Sequence, residues 1–125
     1  MATILIAEDE KDIRELIKFS LTFAGFKVVT ACNGQELIDT VKAMEIKPDL
    51  IMSDVRMPQK TGYEACTEIK AVPELEEIPV VFLSAKGQES EIQTGLNSGA
   101  YEYILKPFAP EELIKRVTDI VNRKS

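Results

Sequence analysis

The sequence predicts an α/β fold: a five-stranded parallel sheet, doubly wound, with helices on both faces. Three observations predict it. Five short apolar runs, most of them rich in β-branched residues, alternate with longer segments of helical period, and Gly, Pro and Asn-Gly punctuate the joins. Strict strand–helix alternation implies parallel pairing, because a strand that returns through a helix re-enters the sheet in the same direction. Runs that are apolar on both faces belong to strands covered on both sides.

The first strand is Ile4-Leu5-Ile6-Ala7. Ile13, Leu16, Ile17, Ser20, Leu21 and Ala24 then share one helical face, and Gly25 is placed to end that helix. The second strand is Val28-Val29-Thr30-Ala31; after Asn33-Gly34, the spacing of Leu37, Ile38, Val41 and Met44 predicts the second helix. Lys47-Pro48-Asp49 turns the chain into the third strand, Leu50-Ile51-Met52-Ser53. Beyond Gly62 a third helix carries Tyr63, Cys66 and Ile69, and Pro73 cannot continue it. Pro79 introduces the fourth strand, Val80-Val81-Phe82-Leu83. Ile92 and Leu96 mark a fourth helix before Ser98-Gly99, and Tyr103-Ile104-Leu105 is the fifth strand. Pro110 suits the first position of a last helix bearing Leu113, Val117, Ile120 and Val121.

A chain of 125 residues is read as one domain over 1–125, its last helix leaving no room for an output domain. That size buries roughly two-thirds of the unfolded surface, enough to fold without a disulfide or structural metal. The net charge of −6 argues against a nucleic-acid surface, which needs clustered Lys and Arg. No apolar run approaches about 18 residues, and no basic-then-apolar leader follows Met1. Neither a membrane span nor a signal peptide is therefore expected, and the location expected is cytoplasmic. Cys32 and Cys66 stand apart without a CxxC pattern, and read as packed thiols in a reducing compartment. The chain has no histidine, which excludes a Ser-His-Asp triad and His-ligated zinc. Its chemistry must run on carboxylates, hydroxyls, lysines and a hard metal.

In open parallel sheets ligands bind outside the carboxyl ends of the strands, at the switch point of the strand order, and the order expected here is the common doubly wound 2-1-3-4-5. The first strand ends in Glu8-Asp9-Glu10, the third in Asp54, the fourth in Ser84 and the fifth in Lys106-Pro107. Singly, each has an ordinary explanation: acids favour helix N-termini, and Asp often starts turns. Their shared edge changes that. Two like charges 4 Å apart cost about 4 kcal/mol at an effective dielectric near 20. Glu8, Asp9 and Asp54 therefore call either for raised pKa values or for a cation among them. An all-oxygen site with few protein ligands suits Mg²⁺. With Lys106 to neutralise charge and Ser84 to donate a hydrogen bond, the set fits a phosphoryl group carried on a carboxylate.

Ile4 to Glu10, Asp54-Val55-Arg56-Met57-Pro58 followed by Gly62, Leu83-Ser84-Ala85, and Tyr103-Ile104-Leu105-Lys106-Pro107-Phe108 resemble, in order and spacing, the receiver domains of bacterial two-component response regulators. The resemblance covers essentially the whole chain and points to the stand-alone, chemotaxis-regulator-like form. It implies a flavodoxin-like (βα)5 fold. It further implies Asp54 as phosphoacceptor and a Mg²⁺ ion held by Asp9, Asp54, Glu8 through a water and the Arg56 backbone carbonyl. Lys106 would bind a phosphoryl oxygen, its bond to Pro107 being cis. Ser84 and Tyr103 are similar to the switch hydroxyl and switch aromatic, which rearrange together after transfer. The donor implied is a histidine kinase or histidine phosphotransfer protein. The downstream target is a protein, docked through the face of the fourth helix, fifth strand and fifth helix. Such a domain catalyses only its own phosphorylation and dephosphorylation, so it is not read as an enzyme.

Ser84 replaces the commoner Thr of the family. Arg56 and Lys86 lie two residues beyond Asp54 and Ser84, where they could lengthen phosphate lifetime by obstructing water. Tyr101 stands where many DNA-binding members carry an acid used in receiver pairing. Two other readings compete with the switch: a phosphorylation-independent adaptor, or the receiver portion of a longer transcriptional regulator. The intact acids and Lys106 weigh against the adaptor. A phosphatase with an aspartyl nucleophile would want an acid where Arg56 stands. A nucleotide binder would want a glycine-rich loop where Glu8-Asp9-Glu10 would repel phosphate.

Overall fold

A computed structural model describes residues 2–55, 57–85, 102–106 and 108–124, with side chains except at 84, 85, 102, 105, 106 and 124. Five strands, β1 (Thr3–Ala7), β2 (Lys27–Ala31), β3 (Leu50–Asp54), β4 (Val80–Ala85) and β5 (Glu102–Lys106), form one sheet of order β2-β1-β3-β4-β5. Every pair is parallel. The described helices are α1 (Lys11–Phe23), α2 (Gly34–Ala43), α3 (Gly62–Lys70) and a C-terminal helix (Pro110–Lys124). The predicted fold class and strand order both hold; the helix expected around Ile92 and Leu96 lies outside the described residues.

The continuous apolar character of the central strands has a direct cause. Successive side chains point to opposite faces, and each face meets its own core. Leu5, Ala7, Ile51, Val80 and Phe82 pack with Leu37, Ile38 and Val41 of α2 and with Ala65, Cys66 and Ile69 of α3. Ile4, Ile6, Leu50, Met52, Val81 and Leu83 pack with Ile17 and Leu21 of α1 and with Leu113, Val117 and Ile120 of the C-terminal helix.

Local chemistry sets the helix ends. At the end of α1, Phe26 N–H donates to Leu21 C=O and Gly25 N–H to Thr22 C=O, both at 3.0 Å. That pairing is a Schellman motif, and Gly25 takes the positive φ of 100° that it needs. Asn33 Oδ1 accepts from Glu36 N–H at 2.8 Å and starts α2. Thr61 and Glu64 form a reciprocal capping box at α3. The hydrogen bonds that Glu64 accepts from Thr61 hold its carboxyl below the usual carboxylate range. This Thr-x-x-Glu signature is a helix start that the sequence itself displays.

Two helix readings need correction. Leu16, predicted on the inward face of α1, is 46% exposed, and Ala24 is exposed too. The buried stripe narrows to Ile17 and Leu21 because the helix rests on the sheet along one row. Leu16 instead joins Phe19 and Phe23 on the outer surface. Met44 lies just beyond α2 in extended backbone. Lys47 Nζ folds back over the helix end and donates to the carbonyls of Val41 (2.9 Å), Lys42 (3.3 Å) and Met44 (2.7 Å). A cation on these terminal carbonyls is favourable both as a hydrogen-bond donor and against the helix dipole. Lys47→Ala is expected to cost about 1.5 kcal/mol, seen in urea unfolding as a lower midpoint at unchanged slope. An unchanged midpoint would show that water replaces the ammonium without loss.

Candidate acidic site at the carboxyl edge of the sheet

The site is built by two adjacent strand ends. The β1–β3 register pairs Ala7 with Ser53, so Glu8, just beyond β1, and Asp54, the last residue of β3, stand side by side. Glu8 N–H donates to Ala31 C=O at 3.1 Å, which extends the β1–β2 ladder one step and fixes the start of the turn. Arg14 Nη1 donates to the Glu8 carbonyl at 2.8 Å, and Glu10 N–H donates to Glu8 Oε2 at 3.3 Å. Glu8 is fully buried, Asp54 is 9% exposed, and Asp9 faces solvent.

Oxygens of the Glu8, Asp9 and Asp54 carboxyl groups lie within 4.8 Å of one another. The sequence expectation that these acids converge is thus met in the geometry. At that separation and an effective dielectric near 20, each ionised pair repels by about 3.5 kcal/mol, less for pairs involving exposed Asp9. An arrangement of three carboxylates, two of them withdrawn from water, can hold a hard divalent cation.

The turn after β3 is held against the site from below. Asp54 Oδ1 accepts from Val55 N–H at 2.9 Å, and Ser53 Oγ donates to the Asp54 carbonyl at 2.9 Å. Gly62 N–H donates to Val55 C=O at 2.8 Å. The Gly62 backbone lies so close to Asp54 that a Cβ there would stand 2.3 Å from the Asp54 carbonyl oxygen. Gln59 takes a φ of 69°, a left-handed conformation that lets the turn close.

The remaining predicted residues divide by what is described. Asp54 pairs with Leu83, Ser84 with Leu105, and Ala85 with Lys106. The backbone therefore brings Ser84 and Lys106 to the same edge as the acids. Both were expected to follow their strands, yet both belong to them. A ladder is a backbone structure, so a polar side chain at its end does not terminate it. Their side chains, together with Arg56, Lys86, Tyr101 and Pro107, lie outside the described residues.

Tyr103 is half-buried, its ring 5.6 Å from that of Phe82, its hydroxyl donating to the Tyr63 hydroxyl at 3.3 Å. The sequence marks Tyr63 only as a helix residue; no spacing rule signals a hydroxyl pair between residues so far apart in the chain. Cys66 is packed as expected, whereas Cys32 is only half-buried and donates to Glu36 at 3.2 Å, a bond that pushes the thiol pKa up. Among the described residues no helix is long and apolar enough to cross a membrane.

Comparison with known proteins agrees with this geometry. The family described as response regulator receiver domain matches residues 4–118. The phosphate regulon transcriptional regulatory protein PhoB of Rhizobium meliloti is 37% identical over 120 residues, covering 96% of this chain and 52% of that protein. The chain spans about half the length of the curated relatives it matches. Among solved structures, the chemotaxis response regulator CheY4 of Vibrio cholerae is 32% identical with a TM-score of 0.88, covering 96% of this chain and 98% of that one. The receiver domain of the Francisella response regulator 1452 is 30% identical with a TM-score of 0.88, each chain covered in full.

Proposed function

The chain belongs to the response regulator receiver domain family, and on that premise we propose that it is a switch driven by phosphorylation of Asp54. Receiver domains are signalling switches rather than enzymes acting on other molecules, and this one is proposed to catalyse only its own phosphorylation and dephosphorylation. The observation that carries the reading is the convergence of the Glu8, Asp9 and Asp54 carboxyl groups within 4.8 Å.

In the proposed reaction an Asp54 carboxylate oxygen attacks the phosphorus of a phosphohistidine on a kinase or phosphotransfer partner. The phosphorus–nitrogen bond breaks, and its electron pair returns to the leaving imidazole. The Val55 N–H bond to Oδ1 orients the carboxylate. The acidic cluster suits a hard divalent cation; Mg²⁺ would be held by Asp9 and Asp54 directly, by Glu8 through a water and by the Arg56 backbone carbonyl. When bound, Mg²⁺ neutralises charge on the carboxylates and on the phosphoryl oxygens. Lys106 is proposed to pair with a phosphoryl oxygen. Ser84 is proposed to move toward it, with Tyr103 following, so that the β4 and β5 ends change arrangement. The proposed target is then a protein docking on the face of β5 and the C-terminal helix, together with the helix expected from sequence around Ile92 and Leu96. The whole of 1–125 is taken as one receiver domain, acting in the cytoplasm without direct contact to nucleic acid.

Incubation with Mg²⁺ and acetyl phosphate, read by intact mass spectrometry, tests this. The expected result is addition of one phosphoryl group, lost in EDTA and absent in Asp54→Ala. No mass gain by the parental chain, or a gain that persists in Asp54→Ala, would overturn it.

A further inference from the structure

We propose that the Tyr63 hydroxyl holds Tyr103 docked against Phe82 and joins it to the backbone beside Asp54. The inference deepens the reading above and rests on it in one respect: there, Tyr103 is the aromatic that changes place.

Tyr63 is anchored at the acidic site. It directly follows Gly62, whose N–H donates to the Val55 carbonyl at 2.8 Å. The same glycine is wedged against the Asp54 carbonyl, as the 2.3 Å approach of a hypothetical Cβ shows. Displacement of the Asp54 peptide therefore moves the start of α3, and Tyr63 with it. The Tyr63 ring stands edge-on to Phe82, centroids 5.0 Å apart at 87°. In the sheet, Phe82 is flanked by Ser53 on one side and Tyr103 on the other. The Tyr103 ring lies against the same Phe82 at 5.6 Å and 55°, and the two hydroxyls meet at 3.3 Å. The Tyr103 carbonyl in turn accepts from Arg116 Nη2 of the C-terminal helix at 2.8 Å. A continuous set of contacts thus runs from the Asp54 peptide to the C-terminal helix.

Packing alone does not account for the pair. Two phenylalanines would fill the same space against Phe82. What tyrosine adds at both positions is a hydroxyl, and the two hydroxyls find each other where water has limited access. A neutral hydrogen bond of ordinary net strength corresponds to about a fivefold change in an equilibrium. Tyr63 is accordingly a positioning residue: it weights Tyr103 toward the docked arrangement before any phosphoryl group arrives.

The test uses the full chain labelled with 3-fluorotyrosine. Its three tyrosines give three fluorine resonances, assigned by single Tyr→Phe substitutions. Without any phosphodonor, Tyr63→Phe is expected to lower the docked-to-undocked ratio of Tyr103 about fivefold, moving its resonance toward the solvent-exposed position. An unmoved, equally sharp Tyr103 resonance would overturn the proposal. Should Tyr63→Phe fold poorly, Tyr103→Phe gives the reciprocal reading at the Tyr63 resonance. Coupling is then measured as the rate of acetyl phosphate labelling in both single variants and the double variant. Tyr63→Phe should change that rate only where Tyr103 keeps its hydroxyl, whereas additive effects would refute the link. The fluorine reading needs no phosphorylation. Failure of Asp54 to label would therefore remove the switch and leave the latch standing, and the reverse result would remove the latch alone.

Discussion

Gly62→Ala is expected to lower the free energy of unfolding by about 3 kcal/mol, at the upper end for overpacking a closely fitted site. Helix propensity alone gives the opposite sign, since Ala is favoured over Gly by about 1 kcal/mol in a helix interior. The contact geometry decides between them. An added Cβ would sit 2.3 Å from the Asp54 carbonyl oxygen and 3.1 Å from both Phe82 Cε1 and Ser53 Oγ. The first of these is backbone in β3, whose residues are all buried, and it cannot step aside without disturbing the sheet. At Gly34 the corresponding clash is with the Lys60 backbone, also at 2.3 Å. That turn is partly exposed and can shift outward, so Gly34→Ala is expected to cost less. Thermal melts of the two variants beside the parental chain make the comparison. A Gly62→Ala melting temperature within a degree or two of the parental value would mean that α3 can slide away from Asp54. The route from the acidic site through Gly62 to Tyr63 would then lose its rigidity.

Much of this architecture can be read directly from residue order, and the physical reasons differ from element to element. Alternating apolar runs such as Ile4-Leu5-Ile6-Ala7 and Val80-Val81-Phe82-Leu83 announce strands covered on both faces, and the structure shows each residue in turn meeting one core or the other. Polarity is a poor marker of a strand's end. Asp54, Ser84 and Lys106 all lie within their strands. Periodicity makes the inward face of α1 too wide, because it records which residues are apolar and not how far the sheet extends beneath them; exposed Leu16 shows the difference. The acid trio was legible because strand ends in a parallel sheet share an edge, and one-dimensional order suffices to collect what lies there. The roles of Gly62, Tyr63 and Arg14 were not legible. Each depends on a backbone approach, a ring orientation or a reach across a turn, and none of these leaves a periodic trace.

In EDTA, Asp54→Asn is expected to raise the free energy of unfolding by about 2 kcal/mol, and this stabilising effect should vanish or reverse in saturating Mg²⁺. Asparagine keeps the shape of aspartate and an oxygen to accept the Val55 N–H bond, so the local turn is preserved. What it removes is one of three carboxyl groups whose oxygens lie within 4.8 Å of one another. Glu8 is fully buried beside it, where water screens the repulsion least; Asp9 is exposed and contributes less. In the unfolded chain the three acids are separated and solvated, so the repulsion relieved belongs to the folded state. A cation reverses the balance. Saturation at a hundred times its dissociation constant stabilises the folded parental chain by about 2.7 kcal/mol, whereas a variant with one carboxylate fewer binds it weakly and gains little. Urea titrations of both proteins, each in EDTA and in Mg²⁺, should therefore cross: the variant is the more stable without the cation, and the parental chain gains most from it. Parallel shifts, or equal midpoints in EDTA, would mean that the three carboxyl groups do not strain one another. The physical ground for a divalent cation at this edge would then be gone, whatever the family of the chain.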